Sequence, residues 1–403
     1  MSQDDAFNMR LIAHDSLAGH GGIGEGMSLQ LAPDGRRILW LAHESAPKNF
    51  TGVDVSDPRK PRMIVQTELP HRRVRSNSLE VCGNLMAVAY QTATVGLQPA
   101  GVELFDIAKP EAPRSIGFFD SSGPASRGVH QVWFVDGEYV HCASGLPDFI
   151  PRNPLDDQPY LIIDVRQPSK PTPAGLWWMP GTREGDAAPP PPRHPVFDSG
   201  WRVHNTNVYP ERPERAYVGY LDGGAVVLDI ADKAQPKLVA RWNPHPPFPG
   251  FTHTVLPLLD RDLLVVSDEC VRDGGQDWPK LTWVLDARRE DNLVPIATLP
   301  LPPVEEFGRR GGRYGSHNMH ENRPGPALRS STLIFGTYFN GGVRVHDLSN
   351  PFQPVEVAHY VPAAPPGSPA GAIQINDVYV DEREIVYVVD RFAGGLYVLE
   401  LTL

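Results

Sequence analysis

The polar and apolar positions of this chain repeat a single short phrase. Residues 342–354 give the clearest copy, Gly-Val-Arg-Val-His-Asp-Leu-Ser-Asn-Pro-Phe-Gln-Pro. Val343 and Val345 alternate with Arg344 and His346, the period-two pattern of a half-buried strand. Ser349-Asn350-Pro351 is turn chemistry, and the apolar run from Val355 to Tyr360 supplies the returning strand. Equivalent runs end at Asp54, Asp106, Asp164, Asp229, Asp286 and Asp347, and a last one at Glu400, with spacings of 52 to 65 residues. Repetition at this period marks repeated supersecondary units. Four short strands per unit, with no helical periodicity, predict an all-β fold, a seven-bladed β-propeller spanning 1–403 as one domain. The last repeat reaches Leu403 without an outer strand. The apolar segment 7–18, containing Leu11 and Ile12, is therefore expected to join the last blade and close the ring, removing an open sheet edge.

Leu161-Ile-Ile-Asp164 and Val226-Val-Leu-Asp229 approximate a Leu-Val-Ile-Val-Asp signature, and on these residues the chain resembles the LVIVD-repeat propeller family. That resemblance implies the fold and leaves the chemistry open, since one fold hosts many activities.

Loop lengths are unevenly distributed. The a–b and c–d turns are short, as at Asp136-Gly137 and Ser56-Asp57-Pro58, whereas the d–a connections 179–202 and 302–316 and the b–c connections 145–158 and 268–278 are long. Strands alternate in direction, so all the long loops fall on one face of the disc, where function is expected to reside. Aligning the repeats on their a–b turns places His130, His204, His253 and His317 at the start of four successive inner strands, at that same face. Asn77 and Asn376 hold the position in repeats two and seven, and Met27 or Ser28 in repeat one. Four imidazoles converging on the axis predict a metal site for Fe(II) first, with Zn, Mn or Cu as alternatives. The layout, though not the rest of the sequence, is similar to that of the carotenoid and stilbene cleavage oxygenases. It implies an Fe(II) oxygenase acting on a small apolar or aromatic substrate. A metal-dependent hydrolase or lyase, and a non-enzymatic scaffold, are the alternatives.

Carboxylates near the same mouth are candidates for proton transfer or for orienting the imidazoles: Glu80, Asp268, Glu269 and Glu321 foremost, with Glu44, Asp222 and Asp390 at other strand ends. His20 lies in a glycine-rich entry loop that could reach the mouth. Trp177, Trp178, Trp201, Phe248, Phe251, Tyr314 and Tyr338 are candidate apolar walls, and the Arg309-Arg310-Gly-Gly-Arg313 cluster a candidate carboxylate holder.

Composition narrows the partners. A net charge of −11 disfavours nucleic acid and anionic membranes. The start of the chain lacks the basic and apolar segments of a signal peptide, and no apolar run is long enough to span a bilayer. Three cysteines in different repeats do not form a disulfide framework, which fits a reducing cytoplasm.

Overall fold

In the computed structural model, residues 4–19 and 22–403 are described, and they form seven β-sheets arranged as the blades of a propeller. Blades 3, 4 and 5 are regular four-stranded meanders. Blade 5, for example, runs Thr252–Leu258, Leu263–Asp268, Thr282–Asp286 and Val294–Thr298 from the axis outward. Burial follows the same order: every residue of Thr252–Leu258 is buried, while Val294–Thr298 is at most half-buried. The inner strand of blade 2 is split into Val74–Arg75 and Leu79–Cys82. That of blade 6 is reduced to a bridge between Met319 and Gly336. Among the described residues the only α-helix is Val304–Phe307, so none is long and apolar enough to cross a membrane.

The marker acids close the third strand of their blades, the six aspartates as its last residue and Glu400 as its last but one. In six of them the Asp Oδ1 accepts the backbone N–H two residues on: Ser56, Ala108, Arg166, Ala231, Arg288 and Ser349, at 2.6–3.1 Å. A side chain that satisfies the turn's own backbone fixes the reversal into the outer strand. Glu400 has no following turn to cap and instead accepts Arg10 Nε at 2.8 Å from the strand beside it.

Each blade also carries a β-bulge between its third and fourth strands. The outer strand has one unpaired residue there: Ile64, Ile116, Ala174, Val239, Ile296, Val357 and, in the closing strand, Ile12. All seven are aliphatic and pack on the cores between blades. A bulge bends and twists the outer strand; the aliphatic residue makes that bend pack on the neighbouring blade.

Closure follows the expected route. Met9–Asp15 pairs with Leu396–Leu401 as the fourth strand of blade 7. The preceding Asp5–Phe7 adds a further strand to the edge of blade 6, pairing with His359, Tyr360 and Val361. Both ends of the chain are thereby tied to sheet edges that would otherwise be open.

Candidate metal centre

His130, His204, His253 and His317 come together at the axis on the long-loop face. His130 Nε2 lies 2.8 Å from His204 Nε2. The rings of His204 and His253 are 3.8 Å apart between centroids, and those of His253 and His317 4.8 Å. Residues up to 187 positions apart (317 − 130) thus share one small volume, because each lies at the entry to the inner strand of its own blade.

Two glutamates complete the group. Glu25 Oε2 lies 3.8, 3.6 and 3.5 Å from Nε2 of His130, His204 and His253, and its Oε1 lies 3.5 Å from His317 Nε2. Glu269 reaches His204 at 3.9 Å and His317 at 3.6 Å. Ligand atoms of Glu25, His204, His253 and Glu269 all fall within 4.8 Å of one another, so this buried set could hold a metal ion. Glu25 Oε2, His253 Nε2 and His317 Nε2 are buried without hydrogen-bond partners. Buried polar atoms are normally satisfied, and these point toward the same small volume.

Three of the four Nδ1 atoms are held from behind, whereas His317 Nδ1 is buried without a hydrogen-bond partner. His204 Nδ1 lies 2.9 Å from Asn205 Oδ1, and Asn205 Nδ2 in turn donates to Glu321 Oε1 at 2.7 Å. The Asn205 oxygen is therefore the acceptor, the proton sits on His204 Nδ1, and Nε2 carries the lone pair. His253 Nδ1 lies 2.7 Å from Thr254 Oγ1 and His130 Nδ1 3.0 Å from Gln91 Oε1. His317 stacks on Phe339, with centroids 4.6 Å apart.

Electrostatics favour the neutral form of three of the imidazoles and the charged form of both carboxylates. Burial, reinforced by His253, pushes His204 down to about 3. Burial, with His204 and Arg75, holds His130 well below its usual value, and burial outweighs Glu269 to lower His317. Only His253 is raised, where Glu25 overcomes its burial. Burial opposes ionisation of Glu25, but the facing imidazoles hold it well below the usual carboxylate range. Burial likewise opposes ionisation of Glu269, and His317 and Arg313 lower it.

Glu25 was not visible by alignment, which gave Met27 or Ser28 for blade 1. The strand Ile23–Leu31 has an irregularity between Ile23 and Met27, and this moves the axial position back to Glu25. Gly24 and Gly26 make the shift possible. A Cβ on Gly24 would lie 2.3 Å from Asn77 O, and one on Gly26 2.4 Å from Leu79 N, so the blade 1 backbone lies directly against blade 2. The available signal was an acid between two glycines at a strand entry.

Of the other candidate carboxylates, Glu269 faces the centre. Glu321 acts through Asn205 and is fixed by Arg323 at 2.7 Å and Asn207 at 2.9 Å. Glu80 is deeper in the channel, bonded to Ser28 Oγ at 2.6 Å and paired with Arg323 at 3.0 Å. Burial pushes it up to about 7. Asp268 is turned away: its oxygens accept Thr252 Oγ1 at 3.0 Å and Trp283 Nε1 at 2.9 Å. Asp222 and Asp390 hold backbone N–H groups of neighbouring loops, and Glu44 pairs with Arg75 and Arg391 at the mouth. His320 faces away from the axis, bonding Leu328 O at 2.7 Å. His20 lies outside the described residues.

Above the centre is a cavity of about 180 Å³ lined by Glu25, Glu44, Glu269, His130, His204, Phe251, Leu221 and four arginines. Of the expected aromatic walls only Phe251 borders it. Trp177 packs on Tyr220 and Phe248 on Trp283, and Tyr314 and Tyr338 are fully buried. Leu221, Phe251 and Phe339, which edge the centre, have φ of 29°, 69° and 49°. Such backbone costs about 1–3 kcal/mol per residue and concentrates at functional sites.

The LVIVD repeat family matches residues 215–243, which contain the third strand of blade 4 and its Asp229 turn. The chain is a seven-bladed β-propeller whose fourth blade is similar to the LVIVD repeat. A search of curated proteins found no match to it.

Proposed function

We propose that this seven-bladed propeller is a metal-dependent enzyme. Its centre is held by His130, His204, His253 and His317 with Glu25 and Glu269, and it acts on a small molecule entering through the long-loop face. The observation that carries this reading is the set of buried polar atoms without hydrogen-bond partners, Glu25 Oε2, His253 Nε2 and His317 Nε2. Leaving such atoms unsatisfied costs about 1–3 kcal/mol each, so the arrangement calls for an occupant. Imidazole nitrogens with two ionised carboxylates suit a divalent ion: Fe(II) first, with Zn, Mn or Cu(II) as other occupants.

Iron bound there would supply one-electron and O2 chemistry, and we assign the protein to the oxygen-dependent oxidoreductases, of oxygenase type. The chain's own contributions are positional. Asn205 and Glu321 fix the His204 tautomer, the blades orient the imidazoles, and Phe251 and Leu221 cover part of the centre. A hydrolytic reading is supported by Glu269, an ionised carboxylate on the cavity wall that could take a proton from a water held beside it. Three free cysteines support function in a reducing cytoplasm.

The test is elemental analysis of protein purified without an affinity tag, followed by oxygen dependence of turnover. The expected result is stoichiometric iron, lost in His204→Ala while the β-rich circular dichroism spectrum is kept. Wild-type protein that takes up no metal, or His204→Ala that retains it in full, overturns the metal centre and leaves a propeller scaffold. Turnover that continues without oxygen moves the chemistry to hydrolysis.

A further inference from the structure

We infer that the mouth above the centre is an oxyanion site, which holds a carboxylate or phosphate group of the substrate. That this oxyanion belongs to a substrate rests on the enzymatic reading above; the site itself rests on the arginines.

Arg75, Arg202, Arg313 and Arg391 line a cavity of about 180 Å³ in a protein whose net charge is −11. Glu269, one of the two carboxylates that face the imidazoles, also pairs with Arg313 at 2.7 Å, and the remaining acid on that wall is Glu44. It is shared by Arg75, at 3.0 Å, and Arg391, leaving one positive charge over in that trio. Asp157 is likewise shared, by Arg127 at 2.7 Å and Arg202 at 3.2 Å. Among the described residues, Arg202 bonds through Nη1 and Arg313 through Nη1, and the Nη2 of each donates no hydrogen bond. Arg313 is further braced over the Phe339 ring at 5.3 Å.

Guanidinium groups present paired N–H donors that match the two oxygens of a carboxylate or phosphate, and part-buried ones with spare donors are poised to use them. A divalent ion below would add to the positive field. An uncharged apolar substrate would leave these donors without acceptors, at the cost of their desolvation. The wall offers such a substrate little more than Phe251 and Leu221.

The experiment is calorimetric titration of the metal-loaded protein with malonate, inorganic phosphate and malonamide, repeated on Arg202→Gln and Arg391→Gln, with metal content measured in every sample. The proposal expects an oxyanion to bind and malonamide not to. It expects each variant to weaken oxyanion binding about tenfold or more at unchanged metal content. Tighter binding of malonate or of phosphate identifies which oxyanion the site prefers. Oxyanions that bind no better than malonamide overturn the proposal, as does binding undiminished in both variants, which would place the anion on the metal alone. If the protein takes up no metal, the same titration on metal-free protein still decides the arginine site, separately from the metal reading.

Discussion

A carboxylate buried among four imidazoles is costly to desolvate unless a cation shares the space. Glu25 is in that position: it is buried, one of its oxygens has no hydrogen-bond partner, and it lies within 3.8 Å of all four Nε2 atoms. Removing its charge is therefore expected to weaken both metal binding and the metal-free fold. Glu25→Gln should lower metal affinity by about tenfold or more in a chelator competition. It should also lower the melting temperature of the metal-free protein at neutral pH, because the facing imidazoles favour the ionised carboxylate in the folded state. Unchanged metal affinity would remove Glu25 from the ligand set. Residue identity alone could not have selected Glu25, because its distance from the a–b turn differs from that of the four histidines. The histidines were legible because their blades are regular enough for spacing to be read along the chain.

The same contrast holds for whole strands. The third strand and its Asp-capped turn recur with little change, since a turn that satisfies its own backbone depends only on local residues. The entry to blade 1 depends on another blade, because Gly24 and Gly26 touch the backbone of Asn77 and Leu79. Gly24→Ala forces a Cβ to within 2.3 Å of Asn77 O. Overpacking of this kind costs about 1–3 kcal/mol. The variant is expected to melt at lower temperature and, by displacing Glu25, to bind metal more weakly than wild type. A drop in melting temperature with metal affinity intact would separate the packing role of this strand from its role at the centre.

At the scale of the molecule, the buried titratable groups set a stability maximum in mildly acidic solution. Burial raises Asp377 to about 8, against the pull of Arg323. Glu80 and Asp222 are each raised to about 7, chiefly by burial. For a group raised in the folded state, the stability it contributes is complete below its unfolded value and is lost as pH rises through the folded one. These three therefore weaken the fold between about pH 4 and pH 8. His141, lowered by burial to about 3, and His346, to about 4, act in the other direction: stability falls as pH drops below the ordinary histidine value. Asp377→Asn should accordingly be close to neutral at pH 4.5 and stabilising at pH 8, by at least about 1 kcal/mol in denaturant unfolding. An equal effect at both pH values would show that Asp377 titrates normally in the folded protein.

Local pattern by itself determined the repeat, the blade count, the capped turns and the use of the N-terminal strand to close the ring. Each of these follows from alternation along a strand or from a turn residue acting on its own neighbours. Ile12 even occupies the bulge position that Ile64, Ile116 and Val357 hold in other blades, which marks Met9–Asp15 as a displaced fourth strand of the last blade. Only the tertiary structure decided the chemistry at the axis: that Glu25 enters it, that Asp268 turns to Trp283, that Glu321 acts through Asn205, and that Arg75, Arg202 and Arg391 line the mouth. The reason is physical. A propeller axis is built from one residue of each blade, so what meets there depends on bulges, loop courses and contacts between residues far apart in the chain, none of which leaves a periodic trace.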